Sequence, residues 1–393
     1  MTFQGLAKNA YLCGMEFIVL FDKVTEFRQR GMCTYSLSEV LTIALFAVLS
    51  DANDAAEIVS YGKEKKEFLQ SLLPNLKGIP CADTFYKVFQ NIDTTVFKNV
   101  LIAHSQQILA YADKYLINID GKVLRGTAVK RSKDGKKARK NDGICILTAW
   151  ASEQKLVLGQ QKIGAKTNEK TAIPQLIKTM DLEDAIVTID AVLCTPALAE
   201  QIVDKKGDYI LAVKGGNKHL LEETSDWLNR PNMTTFEVYH HVDYVGGRIE
   251  ERKCTMCQNL EFLDETHAYK KCTTVFKIES SREYNKGTEL RKETDVRYYI
   301  SSLSASAKFL NDAVRGHWGI ENNLHWALDV VFKEDASRIR TANAPENFNT
   351  LRKMALQILT NAPDKNSLKV RRKIAGWNDE YAVEIVKKFV NKT

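Results

Sequence analysis

The chain lacks any apolar run long enough to span a bilayer. Its longest, Leu41 to Leu49, is short and bracketed by polar residues, so no membrane role is expected. The first residues show no charged segment followed by an apolar stretch and a small-residue cleavage site, so secretion is not expected either. The 8 cysteines are scattered rather than framed, which reads as reduced cytosolic thiols and not a disulfide scaffold. There is no P-loop and no G-x-G-x-x-G, so nucleotide use is not indicated. A serine hydrolase lacks support, since no G-x-S-x-G is present. Internal repeats and low-complexity segments are absent as well.

What remains is 393 residues with 44% hydrophobic content, enough for a sizeable core, and a net charge of +7. That excess points weakly toward nucleic acid or another anionic surface. From Ser36 to about Tyr111 the pattern is helical. Ser36 and Glu39 form a capping box, and Leu37, Val40, Leu41, Ile43, Ala44, Leu45 and Val48 make the first helix apolar nearly all round. A second helix is expected from about Asp54 to Leu72, ahead of Pro74. A third follows an Asp83 N-cap, and a fourth covers Thr95 to Tyr111. Residues 1–112 therefore read as an all-helical module, for DNA binding or for packing and dimerisation.

The texture changes at Tyr115. Tyr115-Leu-Ile-Asn-Ile-Asp120 reads as a buried strand ending in an acid, and Ala185-Ile-Val-Thr-Ile-Asp190 repeats the pattern. Strands around Gly143 to Ala151, Lys155 to Gly164 and Asp208 to Lys214, with helices at Thr171 to Met180 and Pro196 to Lys205, imply an α/β sheet covered by helices. Ligands bind outside the carboxyl ends of strands in such sheets. Between about residues 230 and 303 the pattern becomes β-rich, with strands at Thr235 to Val242, Arg248 to Cys257, Thr273 to Glu279 and Arg297 to Ser301. A helix then spans Val314 to Asp335, and His317, Glu321, His325 and Asp329 step along it at i+4. Asp120, Asp190 and Glu321 would make a nest of three carboxylates, favourable mainly when cations fill it. Asp329, Glu334 and Asp335 read as helix-surface or cap residues.

Two further clusters compete with plain structural readings. Lys122, Arg125, Lys130, Arg131, Lys133, Lys136, Lys137, Arg139 and Lys140 lie in a run whose only acid is Asp134. It is either a phosphate-tracking loop or a solvated hairpin tip. Lys369, Arg371, Arg372 and Lys373 read as a solvated cluster. Cys254-x-x-Cys257 with His267 and Cys272 has zinc-ligand types, but residues three apart on a strand point to opposite faces, so a zinc site is not expected.

Several segments resemble the DDE transposases of bacterial insertion sequences, in the ISAs-type group that includes the H-repeat-associated proteins. They are Ile119-Asp-Gly-Lys-Val-Leu-Arg-Gly126, Val157-Leu-Gly-Gln160, Lys166-Thr-Asn-Glu169, Val187-Thr-Ile-Asp-Ala191, Asp208-Tyr-Ile-Leu-Ala-Val-Lys-Gly215, Arg297-Tyr-Tyr-Ile-Ser-Ser-Leu303 and Arg315 to Arg340. Tyr35 to Phe97 is similar to that group's associated helical domain. The resemblance implies an α/β, RNase H-like catalytic core over residues 113–393, with a β-rich insertion and a helical C-terminal tail. It also implies Asp120, Asp190 and Glu321 as the DDE triad, holding two Mg2+ ions for which Mn2+ substitutes. Val192-Leu-Cys-Thr195 and Lys214-Gly-Gly-Asn-Lys218 depart from the group's usual sequences. Val314, His317 and Leu328 stand where the wider superfamily carries Tyr, Arg and Lys. Arg315, His317 and Lys333 are therefore expected to take over the phosphate contacts.

The expected activity is hydrolysis at the ends of an insertion element and strand transfer into target DNA, in the bacterial cytoplasm, by a homodimer bound to terminal inverted repeats. The alternatives are a degenerate or domesticated copy that binds DNA without cutting, and a metal-dependent nuclease of the same fold.

Overall fold

The computed structural model describes residues 21, 23–29, 31–109, 114–128, 143–164, 168–189, 193–231, 235–261, 263–286 and 289–390. The expected boundary near residue 112 lies outside them. The capping box forms as read. Glu39 N donates to Ser36 Oγ at 3.2 Å and Ser36 N to the Glu39 carboxylate at 2.7 Å. It opens helix α1, Leu37–Leu49, whose residues are all buried except Glu39. The single helix expected up to Leu72 is two, α2 (Ala55–Glu64) and α3 (Lys66–Leu72), broken at Lys65, whose ammonium reaches Asp379 at 2.7 Å. Helix α4, Ala82–Asn91, starts after Cys81, so Asp83 sits in its first turn and is not its cap. Asp93 caps α5, Thr94–Leu109, accepting from the amides of Thr95 and Val96.

Among the described residues after α5, nine strands form one sheet. Its strands are β1 (Tyr115–Leu124), β2 (Ile144–Ala151), β3 (Leu156–Ile163), β4 (Ala185–Ile189), β5 (Asp208–Val213), β6 (Glu237–Val245), β7 (Arg248–Cys257), β8 (Thr274–Lys286) and β9 (Glu289–Ser301), in the order β3-β2-β1-β4-β5-β9-β8-β7-β6. The first three pair antiparallel, while β1–β4 and β4–β5 pair parallel. This is the RNase H-like arrangement. Helices α6 (Glu169–Lys178) and α7 (Pro196–Asp204) supply the crossovers, and α8 (Lys218–Leu228) follows β5.

The β-rich segment extends this sheet through antiparallel pairing of β9 with β5. Its last two strands run 13 residues each, longer than expected. Their outer halves are polar and hide the apolar alternation, but cross-strand ion pairs such as Lys292–Glu283 at 2.7 Å hold the register. Gly246 and Gly247, at φ 59° and 74°, close the β6–β7 hairpin with the left-handed backbone a two-residue turn requires.

Helix α9, Ala307–Gly319, begins after its Ser306 cap and runs on as two π-helical stretches, Ile320–His325 and Ala327–Val331. Helix α10, Ala344–Thr360, lies between the N-terminal helices and the sheet edge, touching α1, α4, α5 and β3. Its residues share one hydrophobic core with both. Helices α11 (Leu368–Trp377) and α12 (Asp379–Val390) pack on it. Among the described residues no helix is long and apolar enough to cross a membrane.

Candidate active site

Asp120 does not end its strand. Parallel pairing of β1 with β4 stops at Ile119–Ile189, but the antiparallel β2 continues alongside, so β1 runs on to Leu124 and Asp120 pairs with Thr148. Asp120 thus stands one residue past the last β1–β4 pair. The residue after Ile189 in sequence is Asp190, which lies outside the described residues.

Glu321 is exposed on the first π-helical stretch. The Trp326 amide donates to the Glu321 carbonyl and the Phe332 amide to that of Ala327, each five residues back. Such π turns recur at functional sites. An i+4 row drifts one way round an α-helix and the other way round a π-helix. The mixture keeps His317, His325 and Asp329 of the expected row turned toward β1 and β4, while Glu321 is exposed. His317 Nδ1 lies 2.9 Å from Thr188 Oγ1 on β4, and the Asn118 amide donates to the same hydroxyl at 2.6 Å. Ser152 Oγ donates to the Asn118 carbonyl oxygen and also lies 3.3 Å from the Gly316 carbonyl. These bonds pin α9 across β1 and β4.

His325 Nδ1 faces Asp120 Oδ2 at 3.4 Å, a contact too long for a full hydrogen bond. Burial, then the nearby ammonium groups of Lys353 and Lys122, push the imidazole pKa down to about 3. The ring is neutral, and its Nε2 is buried without a partner among the described residues. It stands beside Asp120 without neutralising it. Behind Asp120, Lys353 on α10 is fully buried and bonds Thr148 Oγ1 at 2.8 Å and Gln160 Oε1 at 3.0 Å. Burial pulls its pKa down to about 7. Hydrophobic periodicity gives no hint of this lysine.

Lys122 departs from its expected DNA contact. It is buried, and its ammonium lies 2.6 Å from Asp329, 3.1 Å from Glu334 and 3.4 Å from Asp335. Burial alone would lower its pKa, but those three carboxylates hold it above the ordinary lysine value. Asp329, Glu334 and Asp335 are accordingly not the surface or cap residues expected. Burial, with Asp335 and Glu334 nearby, raises the Asp329 pKa despite Lys122. Arg125 is more than half exposed and pairs with Asp335 at 3.1 Å. Arg315 is partly exposed and pairs with Asp243 at 2.6 Å. His317 is half-buried and turned inward to Thr188. Lys333 is exposed in a left-handed conformation. Lys130, Arg131, Lys133, Lys136, Lys137, Arg139 and Lys140 lie outside the described residues. In the C-terminal cluster Arg371 and Arg372 are buried, against the solvated reading.

A groove of about 1080 Å³ runs from Glu321 and Trp318 along β7–β9. Arg297 stacks 5.2 Å from the Trp318 ring centre beside it. Four arginines line the groove against seven Asp and Glu residues, so it is no plain phosphate channel. Cys254 and Cys257 are both buried but belong to separate cores on opposite faces of the sheet. No group of three His, Cys, Asp or Glu side chains among the described residues is placed to hold a metal. Asp120 and Glu321 nevertheless offer hard carboxylate oxygens, the donor chemistry magnesium takes, on a strand and a helix that touch through His325.

Residues 111–358 match the family model "Transposase DDE domain", and residues 18–105 match "DDE_Tnp_1-associated". The chain is 36% identical over 371 residues to "Putative transposase YncI" of Escherichia coli O157:H7, covering 92% of each chain. It is 35% identical over 341 residues to "H repeat-associated putative transposase YhhI" of Escherichia coli strain K12, covering 86% of this chain and 88% of the relative. A solved piggyBac transposase synaptic complex with hairpin DNA aligns over 98% of this chain and 81% of its own, with 11% identity and a TM-score of 0.42. With a transposase domain matched over more than half of its length and H repeat-associated relatives similar along most of the rest, the chain belongs to the DDE transposase family.

Proposed function

We propose that the protein is an insertion-sequence transposase that hydrolyses the phosphodiester at element ends and joins the freed 3′-OH to target DNA. The observation that carries this reading is the meeting of Asp120 with the helix of Glu321. His325, on the same π-helical stretch as Glu321, faces Asp120 at 3.4 Å, and Asp190 follows the strand paired beside Asp120. Asp120, Asp190 and Glu321 would hold the metal ions, two Mg2+ with Mn2+ able to substitute. Bound there, such ions stabilise the attacking and leaving oxygens of an in-line displacement. The uncharged His325 beside Asp120 leaves the charge of that carboxylate available. Arg125, Arg315 and Lys333, with the basic run from Lys130 to Lys140, track phosphates. The N-terminal helical domain, residues 1–112, assists DNA binding, and a homodimer holds two terminal repeats together in the bacterial cytoplasm.

The test is strand cleavage of end-containing DNA with magnesium, run beside a gel shift. Asp120→Asn, Asp190→Asn and Glu321→Gln are each expected to abolish cutting and keep end binding, since each removes one charge from the cation site and preserves shape. A wild-type protein that shifts DNA but never cuts it indicates a copy that only binds.

A further inference from the structure

The strand of Asp120 and the chain that follows Glu321 are joined at several points. Lys122 lies two residues past Asp120 on β1, so its side chain leaves the sheet on the same face. It is 9% exposed, and its ammonium meets Asp329 from the second π-helical stretch together with Glu334 and Asp335. The last two come from a 3-10 turn, Glu334–Ala336, reversed toward β1 by the left-handed Lys333 at φ 50°. Arg125 takes the other oxygen of Asp335 at 3.1 Å. Arg340 Nε donates to the Gly126 carbonyl at 2.8 Å. A Cβ on Gly126 would stand 1.9 Å from the Ser337 carbonyl oxygen, so only glycine lets the two segments lie this close.

We propose that Lys122 is a positioning residue that locks the helix of Glu321 to the strand of Asp120 and so sets the separation of their carboxylates. The proposal rests on the reading of Asp120 and Glu321 as metal-holding groups. Three carboxylates converge on one buried ammonium from two parts of the chain after Glu321. Sliding or rotating the helix would carry Asp329 away and strip the buried ammonium of its shortest ion pair, which is unfavourable. The lock is therefore stiff, and it sits at the end of β1 that β4 does not brace.

The test uses the full chain carrying Lys122→Met. A second variant, Lys122→Met with Glu334→Gln, removes one of the stranded carboxylates and guards against misfolding. Hydrogen exchange is followed over residues 320–336, Mn2+ binding is measured by calorimetry without DNA, and cleavage kinetics and gel shifts are run alongside. Protection of 320–336 should fall by about tenfold or more while α1 and α10 keep theirs. Mn2+ should bind at least about tenfold more weakly, and kcat should fall with KM for DNA unchanged. The double variant should recover thermal stability without recovering Mn2+ affinity. Unchanged exchange in 320–336 overturns the proposal. So does a raised KM with a log–log salt slope smaller by about one, which marks a phosphate contact instead. If the wild-type protein neither binds Mn2+ nor cuts DNA, the proposed function fails, and the exchange comparison alone still decides the lock.

Discussion

Lys353 is a full-length cation placed in the core, and its pKa of about 7 makes it a pH-dependent cost. Between about pH 7 and the ordinary lysine value the unfolded chain binds a proton that the folded chain has released. Stability attributable to this group therefore rises with pH across that window, and the full cost of burying the charge is felt below it. Melting temperatures of the wild type and Lys353→Met, compared from pH 7 to pH 10, should converge as pH rises if the lysine reads correctly. A constant difference would count against it. Two buried imidazoles act at the acid end. Burial depresses His104 to about 4 and, with Lys353 and Lys122, His325 to about 3. Below the ordinary histidine value the unfolded chain takes up protons that these rings refuse, so stability falls as pH drops from about 6.5 toward 4. His104→Gln should flatten that fall in a pH series of denaturant melts.

At the scale of elements, the joint between the turn Arg125–Thr127 and the turn Glu334–Ala336 rests on Gly126. Gly126→Ala drives a methyl group into the Ser337 backbone, which cannot swing aside as a side chain would. We expect a loss of about 3 kcal/mol in urea unfolding, toward the upper end of overpacking costs. A loss below about 0.5 kcal/mol would mean the two turns separate freely. Helix α9, which leads into the π-helical stretch, depends on its neighbours in the same way. Thr188 on β4 supplies the hydroxyl that His317 bonds, so Thr188→Val removes that bond at nearly constant shape. The expected cost is about 1 kcal/mol or more, because the imidazole and the Asn118 amide both lose a partner.

Across the whole molecule, Arg372 ties together segments distant in sequence. It is 1% exposed, donates to the carbonyls of Val48 in the last turn of α1, of Ala52 just past it and of Val331 at the end of the π-helical stretch, pairs with Asp51 at 2.9 Å, and stacks on Phe332. Arg372→Met strands those carbonyls, and we expect about 3 kcal/mol of destabilisation by thermal or chemical melting, with DNA affinity unchanged. The basic run tests the opposite case. Lys133→Ala, Lys136→Ala and Lys137→Ala combined should weaken DNA binding and reduce its salt slope, with each neutralised phosphate worth about 0.9 in that slope. An unchanged slope would reduce the run to a solvated tip. On DNA carrying two ends, light scattering should report a dimer or larger assembly, and a monomer holding both ends would rule that out.

The order of apolar strands and helices and the Ser36–Glu39 cap were legible in sequence because each depends on residues a few positions apart. The α/β class followed from them, and the family resemblance from matched segments such as Ile119 to Gly126 and Arg315 to Arg340. Contacts between distant segments were not legible. Lys122 and Arg372 look like DNA-facing or solvated bases on a linear chain, because a cation's sequence neighbours do not show which carboxylates or carbonyls will surround it. The extension of β1 past Asp120 depended on β2 arriving alongside. The π turns around Glu321 are invisible to a 3.6-residue pattern. Lys353 beneath Asp120 needed α10 to be driven between the helices and the sheet. Local propensity and periodicity determined the elements. Only tertiary packing, which removes charges from water and obliges each to find a partner, decided which charged residues brace the candidate site and which remain open to a nucleic acid.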